Sequence, residues 1–165
     1  MDTLSAVPLP ALRAMRAALD AAISARERPR DGRPTPNETR RAALALVQRA
    51  VPSWQCAAPG SGFDVMTQGG ERLLVKGRCL TKDPAYSTFA DIVAYADRPF
   101  DGMVGLVFDQ RLRLQSALKI PRTVMERAGE ALDNGDLVVP VTADWAAHGG
   151  VIDLTKVFAR HDSAR

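Results

Sequence analysis

Apolar and polar residues follow two different periods along this chain, and the periods predict its elements. In "LPALRAMRAALDAAISARER" the apolar residues recur every three or four positions, which indicates an amphipathic helix. We assign this N-terminal helix to residues 1–30 and expect residues 34–165 to form one compact α/β domain with it. No internal repeat or low-complexity tract interrupts the chain.

A second helix start is recognisable in Thr35-Pro36-Asn37-Glu38. Threonine is a favourable N-cap, proline fits the first helical position, and a glutamate three residues after the cap closes a capping box. The helix is expected to continue through "ETRRAALALVQRAV" and to end at Pro52. The residues predicted to face a core are Ala42, Leu44, Ala45 and Val47.

Short apolar runs separated by turn residues predict strands in the middle of the chain. "GFDVMTQGGERLLVKGR" is typical of a hairpin around Gly69–Gly70, and "MVGLVFD" with "RLRLQSALKIP" predicts a second strand pair joined at Asp109–Gln110. "MVGLVF" is apolar throughout, which is typical of a central strand covered on both faces. Residues 81–102 are predicted to be loop, with a helical turn near Phe89–Tyr95.

The last third of the chain predicts one more helix and one more strand. Pro121 opens the helix "PRTVMERAGEAL", which "DNGD" ends, and "LVVPV" is expected to be a short edge strand because it contains a proline. The order of elements predicts an α/β fold in which a central mixed sheet of four or five strands is flanked by helices.

Composition narrows the class of protein without naming its chemistry. Apolar residues make up 46% and charged residues 25% of the chain, an ordinary globular mixture, and the longest apolar run, Met103–Phe108, is too short to span a membrane. The N-terminus carries no apolar signal segment, and Cys56 and Cys79 are expected to be reduced and buried. These features predict a bacterial-type cytoplasmic protein with no membrane partner.

The positive charge is concentrated near the N-terminus. Nine arginines lie between Leu12 and Ala50, against four acidic residues, so this region has a net charge of +5. The rest of the chain has a net charge of −2, which gives +3 for the whole chain. Such asymmetry favours a polyanionic partner. The alternative is a solvated arginine-rich face with no partner, and composition does not decide between the two.

Several kinds of site are excluded by the absence of their motifs. The chain has no phosphate-binding glycine loop followed by Lys-Ser/Thr and no dinucleotide fingerprint after a strand. His148 and His161 stand alone, outside any zinc-binding spacing. Three charged residues remain as candidates: Glu38 in the first turn of a helix, Asp64 on the first hairpin strand and Lys76 on the second.

The segment from Asn37 to Met125 resembles small bacterial members of the PD-(D/E)-X-K, restriction-endonuclease-like superfamily. In that superfamily a helix glutamate precedes a hairpin that bears an aspartate and then a triplet of Glu, Asp or Gln, any residue, and Lys. The matching stretches here are "NETRRAALALV", "GFDVMTQGGERLLVKGRCLT" and "FDGMVGLVFDQRLRLQSALKIPRTVM". Leu74 occupies the first position of the triplet, where the family has an oxygen ligand.

The resemblance implies a DNA-binding, Mg²⁺- or Mn²⁺-dependent endonuclease. Asp64 and Glu38 would bind the metal, with the backbone carbonyl of Val75 as a further ligand, and Lys76 would position or deprotonate the attacking water. The residues that would bind DNA phosphates are Arg40, Arg41 and Arg78. The implied partner is DNA, and pairing into a homodimer is one arrangement in which such nucleases cut both strands.

Two other functions stay open beside the nuclease. Because Leu74 removes one oxygen ligand, the chain could keep the nuclease fold as a nucleic-acid-binding or assembly module without catalysis. It could also be a structural domain whose arginines are merely solvated. Fold analogy does not choose among these.

The hairpin register decides whether Asp64 and Lys76 can act together. A two-residue turn at Gly69–Gly70 would place Asp64 opposite Val75 and thus on the other face from Lys76. A three-residue loop, Gln68–Gly70, would place Asp64 opposite Leu74, on the face that Lys76 shares. The sequence is compatible with both.

Overall fold

The structure, a computed structural model, describes residues 33–80, 88–92, 95–141 and 143–162, together with residues 8, 11, 12, 14, 15, 18, 19 and 22. The described residues between 11 and 22 are helical, as the apolar period predicts. Met15 and Leu19 are 58% and 61% exposed there. The boundary predicted between residues 30 and 34 stays a prediction, because residues 23–32 lie outside the described part of the chain.

Three helices and nine strands follow among the described residues from 33 onward. The helices are α1 (Pro36–Ala50), α2 (Arg122–Ala128) and α3 (Thr155–Ala159), with 3₁₀ turns at Tyr95–Asp97 and Ala143–Ala147. The strands are β1 (Gln55–Cys56), β2 (Val65–Met66), β3 (Arg72–Cys79), β4 (Thr88–Ile92), β5 (Gly102–Phe108), β6 (Leu114–Pro121), β7 (Glu130–Ala131), β8 (Leu137–Pro140) and β9 (Ile152–Asp153).

The strands form two sheets. The main sheet has six strands in the order β1-β2-β3-β5-β6-β9, and a smaller sheet has the order β4-β8-β7. Only the β3–β5 pair of the main sheet is parallel, so this sheet is mixed, as predicted. The α/β class is therefore confirmed, whereas the predicted four or five strands are too few because β1 and β9 add two-residue strands at the two edges.

Helix α1, the second helix predicted from the sequence, begins where the prediction places it. Thr35 is the N-cap, and its hydroxyl and the Glu38 carboxylate form the capping box. The buried face is different from the prediction: Ala43, Leu46 and Val47 are buried, while the residues predicted with Val47 are only partly covered. The cause is Gly77 on β3, where an added Cβ would lie 2.8 Å from a backbone oxygen and 2.9 Å from a side chain of α1. This close approach selects which face of the helix meets the sheet.

The main sheet separates two apolar clusters. Every residue of β5 is buried, which confirms the prediction of a central strand. On one face, Leu73 and Val75 pack with α1 and α3. On the other face, Leu74 packs with Phe89 of the smaller sheet. Successive β3 residues thus alternate between the two clusters, as strand geometry requires.

Three predicted elements are different in the structure. Strand β4, which pairs with β8 and buries Phe89, occupies most of the region Phe89–Tyr95 where a helical turn is expected. The turn itself lies later, as the 3₁₀ turn Tyr95–Asp97; residues 81–87 and 93–94 lie outside the described residues. The "LVVPV" segment is not an edge, because β8 lies between β4 and β7; its proline is the last strand residue. Helix α2 ends at Ala128 instead of continuing to Leu132, since Glu130–Ala131 pairs with β8.

The two cysteines have different surroundings. Cys79 is buried as predicted, and Cys56 is exposed, contrary to prediction; both are free thiols. Cys56 belongs to the short edge strand β1, whose two residues are both exposed. In the described part of the chain, no helix combines the length and the apolar character that crossing a membrane requires.

Candidate functional site at the edge of strand β3

The hairpin adopts the longer of the two loops that its sequence allows. Val65 pairs with Leu73, and the N–H of Thr67 donates to the oxygen of Glu71 at 2.9 Å. The loop is therefore Gln68–Gly70, and its last residue has a φ of 82°, a left-handed conformation that glycine adopts without strain.

Asp64 lies where β2 begins and its carboxylate faces the edge of β3. The N–H of Asp64 donates to the oxygen of Leu73 at 3.0 Å, and Leu73 also pairs with Val65. Asp64 and Val65 therefore both lie opposite Leu73, which is a β-bulge. The Asp64 Oδ2 accepts the N–H of Val75 at 2.8 Å. The carboxylate thus takes the place of a neighbouring strand at this point. Because a strand residue directs its N–H and C=O to the same side, the carbonyl of Val75 also faces this edge.

A pocket of about 630 Å³ opens at this edge, between the first turns of α1 and the loop that precedes β5. Its charged lining residues are Arg40, Asp64, Lys76, Arg78 and Arg98. Its apolar lining includes Phe63 and Phe89. Four cationic side chains and one carboxylate from the described part of the chain therefore share a single cavity.

The four cations differ in what they bind. Arg40 lies 3.4 Å from the Asp64 Oδ1 in a pair whose arginine is 60% exposed, and the Arg78 Nε donates to the oxygen of Thr88. Lys76 and Arg98 have no hydrogen-bond acceptor and no ion-pair partner among the described residues. Two positive groups are consequently directed into the pocket with donors to spare.

The charged form of the Lys76 side chain is disfavoured by its surroundings. Burial lowers its pKa from the ordinary value because the charged form loses solvation, and the nearby Asp64 carboxylate only partly opposes this shift. Arg98, Arg40 and Arg78 lower the pKa further by repulsion. An anion bound in the pocket would replace part of the lost solvation of the ammonium and would offset the repulsion from the three arginines.

The structure brings together most, but not all, of the residues that the sequence nominated. Lys76, Asp64, Arg40, Arg78 and Val75 line one pocket. The other two nominated residues, Glu38 and Arg41, are not among its lining residues.

Glu38 instead forms part of the capping box at the start of α1. Its Oε2 accepts the N–H of Thr35 at 2.8 Å and the hydroxyl of the same residue at 3.1 Å, which stabilises the start of α1. Arg41 is exposed on the same helix. Sequence reasoning missed Arg98, which reaches the pocket from a loop without any motif; only its positive charge could have drawn attention to it.

The donors that the described residues place in this pocket do not fit a resident divalent cation. Mg²⁺ prefers oxygen ligands, and this pocket offers one carboxylate that already accepts the N–H of Val75 and lies beside Arg40. The residue in the acidic position of the motif, Leu74, is 2% exposed and packs in the core. With four cations around one carboxylate, the pocket attracts anions instead.

Comparison with known proteins adds no family to this picture. No family model matches the chain, and no curated protein matches it. The resemblance to PD-(D/E)-X-K nucleases thus stays a prediction from motif spacing, and any function must be argued from the pocket itself.

Proposed function

We propose that this protein binds nucleic acid, DNA in the first place, through phosphodiester groups that enter the pocket at the edge of β3. The observation that carries the proposal is the pair formed by Lys76 and Arg98, which line the pocket without an acceptor among the described residues. A phosphodiester oxygen supplies the acceptor that both side chains lack.

The physical gain comes from charge and from hydrogen-bond geometry. A guanidinium presents two parallel N–H donors that match two phosphate oxygens, and an ammonium acts as a point charge beside them. Phosphate binding also releases the counterions that condense on DNA, so that affinity depends steeply on salt. Because burial already costs the Lys76 ammonium solvation, a bound phosphate regains interaction that water no longer supplies.

A chain of phosphates fits better than a single small anion. Arg40 lines the pocket, and Arg41 follows it on the exposed surface of α1. Along the sequence, the region from Leu12 to Ala50 also holds nine of the chain's arginines, an excess that favours a polyanionic ligand. A ligand with regularly spaced negative charges can contact this surface and the pocket together.

Of the two nuclease-related predictions, the pocket favours the binding module over the hydrolase. Leu74 borders the pocket but is 2% exposed, packs in the core and supplies no oxygen, and Glu38 lies outside the pocket lining. Hydrolysis with Mg²⁺ or Mn²⁺ stays a prediction of the resemblance. It is tested beside binding, in a plasmid-nicking assay with either metal.

The test of binding is the fluorescence anisotropy of a labelled DNA duplex over a series of salt concentrations. We expect Lys76→Met, which keeps the length and the apolar stem of the side chain, to weaken binding about tenfold and to reduce the salt slope by about one unit. Lys156→Met is the matched control, because Lys156 is exposed on α3 and does not line the pocket. Equal affinities for wild type and Lys76→Met would contradict the proposal.

A further inference from the structure

The pocket receives Arg98 from the segment Tyr95–Phe100, and one side chain beneath this segment holds it. The Arg122 Nη1 donates to the oxygen of Arg98 at 3.0 Å and lies 3.5 Å from the oxygen of Phe100. Its Nη2 donates to the oxygen of Tyr95 at 3.2 Å. A single guanidinium therefore collects three carbonyls from six consecutive residues.

Ring contacts add to these hydrogen bonds. The Arg122 guanidinium carbon lies 4.7 Å from the ring centroid of Phe100 and 5.7 Å from that of Tyr95. The Nε donates to Glu126 at 2.8 Å, one helical turn along α2. The segment that carries Arg98 thus contacts both the Nη donors and the flat face of the Arg122 guanidinium.

The segment is fixed at its far end as well. The backbone N–H of Arg122 donates to the oxygen of Asp101 at 3.0 Å. The Asp101 carboxylate accepts the N–H of Arg72 at 2.8 Å and two bonds from its guanidinium at 3.0 and 3.1 Å. These bonds connect the segment to the first residue of β3, the strand that also carries Lys76.

The opposite wall of the pocket contacts the same segment. A Cβ added to Gly62 would lie 2.7 Å from the Cδ of Pro99, so the two loops touch. Phe63, the next residue, lines the pocket. A shift of the Tyr95–Phe100 segment would therefore change both the position of Arg98 and the width of the opening.

We propose that Arg122 is a positioning residue of the pocket, which holds the Arg98 guanidinium at the site of phosphate binding without contacting the ligand itself. This inference rests on the proposed nucleic-acid binding. Arginine is required because a lysine offers no planar fork for three carbonyls and no flat face for two rings. Arg122 itself is absent from the pocket lining.

The test is a double-mutant cycle measured by anisotropy with the same labelled duplex. We expect Arg98→Ala and Arg122→Ala each to weaken binding about tenfold, the usual order for a lost charged hydrogen bond. Because Arg122 acts only through Arg98, the double variant should bind no more weakly than Arg98→Ala alone. Arg122→Lys keeps the charge and should not restore binding.

Two further measurements separate positioning from general loss of structure. Arg122→Ala should lower the melting temperature equally in the wild-type and Arg98→Ala backgrounds, so that coupling appears in binding and not in stability. Glu126→Gln is the matched control, since it removes the negative charge beside Arg122, keeps an amide oxygen that can accept the Nε–H, and leaves the three carbonyl contacts; its affinity should equal that of wild type.

Each unfavourable result has a distinct meaning. If wild type binds and either Arg122→Ala or Arg122→Lys binds equally well, the positioning role is overturned and the proposed function stands. If the losses in the double variant add, Arg122 acts independently of Arg98 and the role is again overturned. If wild type itself does not bind DNA, the proposed function fails and the inference fails with it.

Discussion

Two aspartates lie at strand ends beside arginines, and their surroundings are opposite in character. Asp109 follows β5, where its Oδ1 accepts the N–H groups of Arg111 and Arg113 at 2.8 and 2.9 Å and its Oδ2 accepts the Arg113 Nε at 2.7 Å. Asp64 precedes β2 and accepts one backbone N–H and one distant guanidinium.

The two sites differ in the balance of charged groups around the carboxylate. The Asp109 carboxylate accepts three hydrogen bonds: desolvation acts to raise the pKa of Asp109, yet the hydrogen bonds from Arg113 and Arg111 lower it overall. At the Asp64 edge, Lys76 and Arg98 are left without acceptors among the described residues. A larger excess of cations, four around Asp64 against two around Asp109, therefore distinguishes the proposed binding surface from the structural turn.

The largest effect is expected for Leu74→Glu, which tests whether the Asp64 edge can become a metal site. The change places a carboxylate where a leucine is 2% exposed among apolar neighbours. We expect a loss of about 3 kcal/mol in the free energy of unfolding, together with weaker DNA binding because the new charge opposes the cations. Urea denaturation and anisotropy measure the two effects. A gain in Mg²⁺ affinity with unchanged stability would support the nuclease alignment instead.

A smaller effect of opposite sign is expected for Asp64→Asn. The amide oxygen can still accept the N–H of Val75, while the one carboxylate among the described lining residues is lost. DNA binding should become about threefold to tenfold tighter, as expected for removal of one like charge near a phosphate. Asp109→Asn is the matched control and should leave the affinity unchanged. Weaker binding by Asp64→Asn would indicate that the carboxylate acts through a cation.

The smallest effect is the dependence of binding on pH above neutrality. Because burial lowers the pKa of Lys76, its proton is lost below the ordinary lysine value of 10.5. Affinity should fall as pH rises through the lowered pKa, and this fall should be absent in Lys76→Met.

Stability should move in the opposite direction over the same range. Between the lowered pKa of the folded state and 10.5, the unfolded state binds the extra proton, so the free energy of unfolding rises with pH. Denaturant titrations of wild type and Lys76→Met at several alkaline pH values measure this difference. A flat profile in both proteins would contradict the assigned burial of the ammonium.

Local signals in the sequence predicted local structure correctly. The capping box at Thr35 and Glu38 involves residues three apart, and the fully apolar β5 needs no partner to be recognised as central. The hairpin was recognised, but its register was not, because Gly69–Gly70 is compatible with two loop lengths. The structure selects the longer loop and adds a bulge at Asp64.

The errors share a dependence on contacts between distant residues. The buried face of α1 is chosen by Gly77 on β3, and β4 forms because its edge meets β8 nearly fifty residues later in the chain. Arg98 enters the pocket because Arg122 holds its loop from another element. Periodicity within a short window contains none of this information.

The Asp64 carboxylate on the N–H of Val75 also bears on how this protein behaves in concentrated solution. Beyond its short pairing with β2, strand β3 would otherwise offer backbone groups to a strand from a second molecule. The Asp64 carboxylate occupies one of the backbone donors that such edge-to-edge pairing would use, with positive charges around it. The residue that tempers the attraction for phosphate is therefore also the residue whose replacement would open this part of the strand edge.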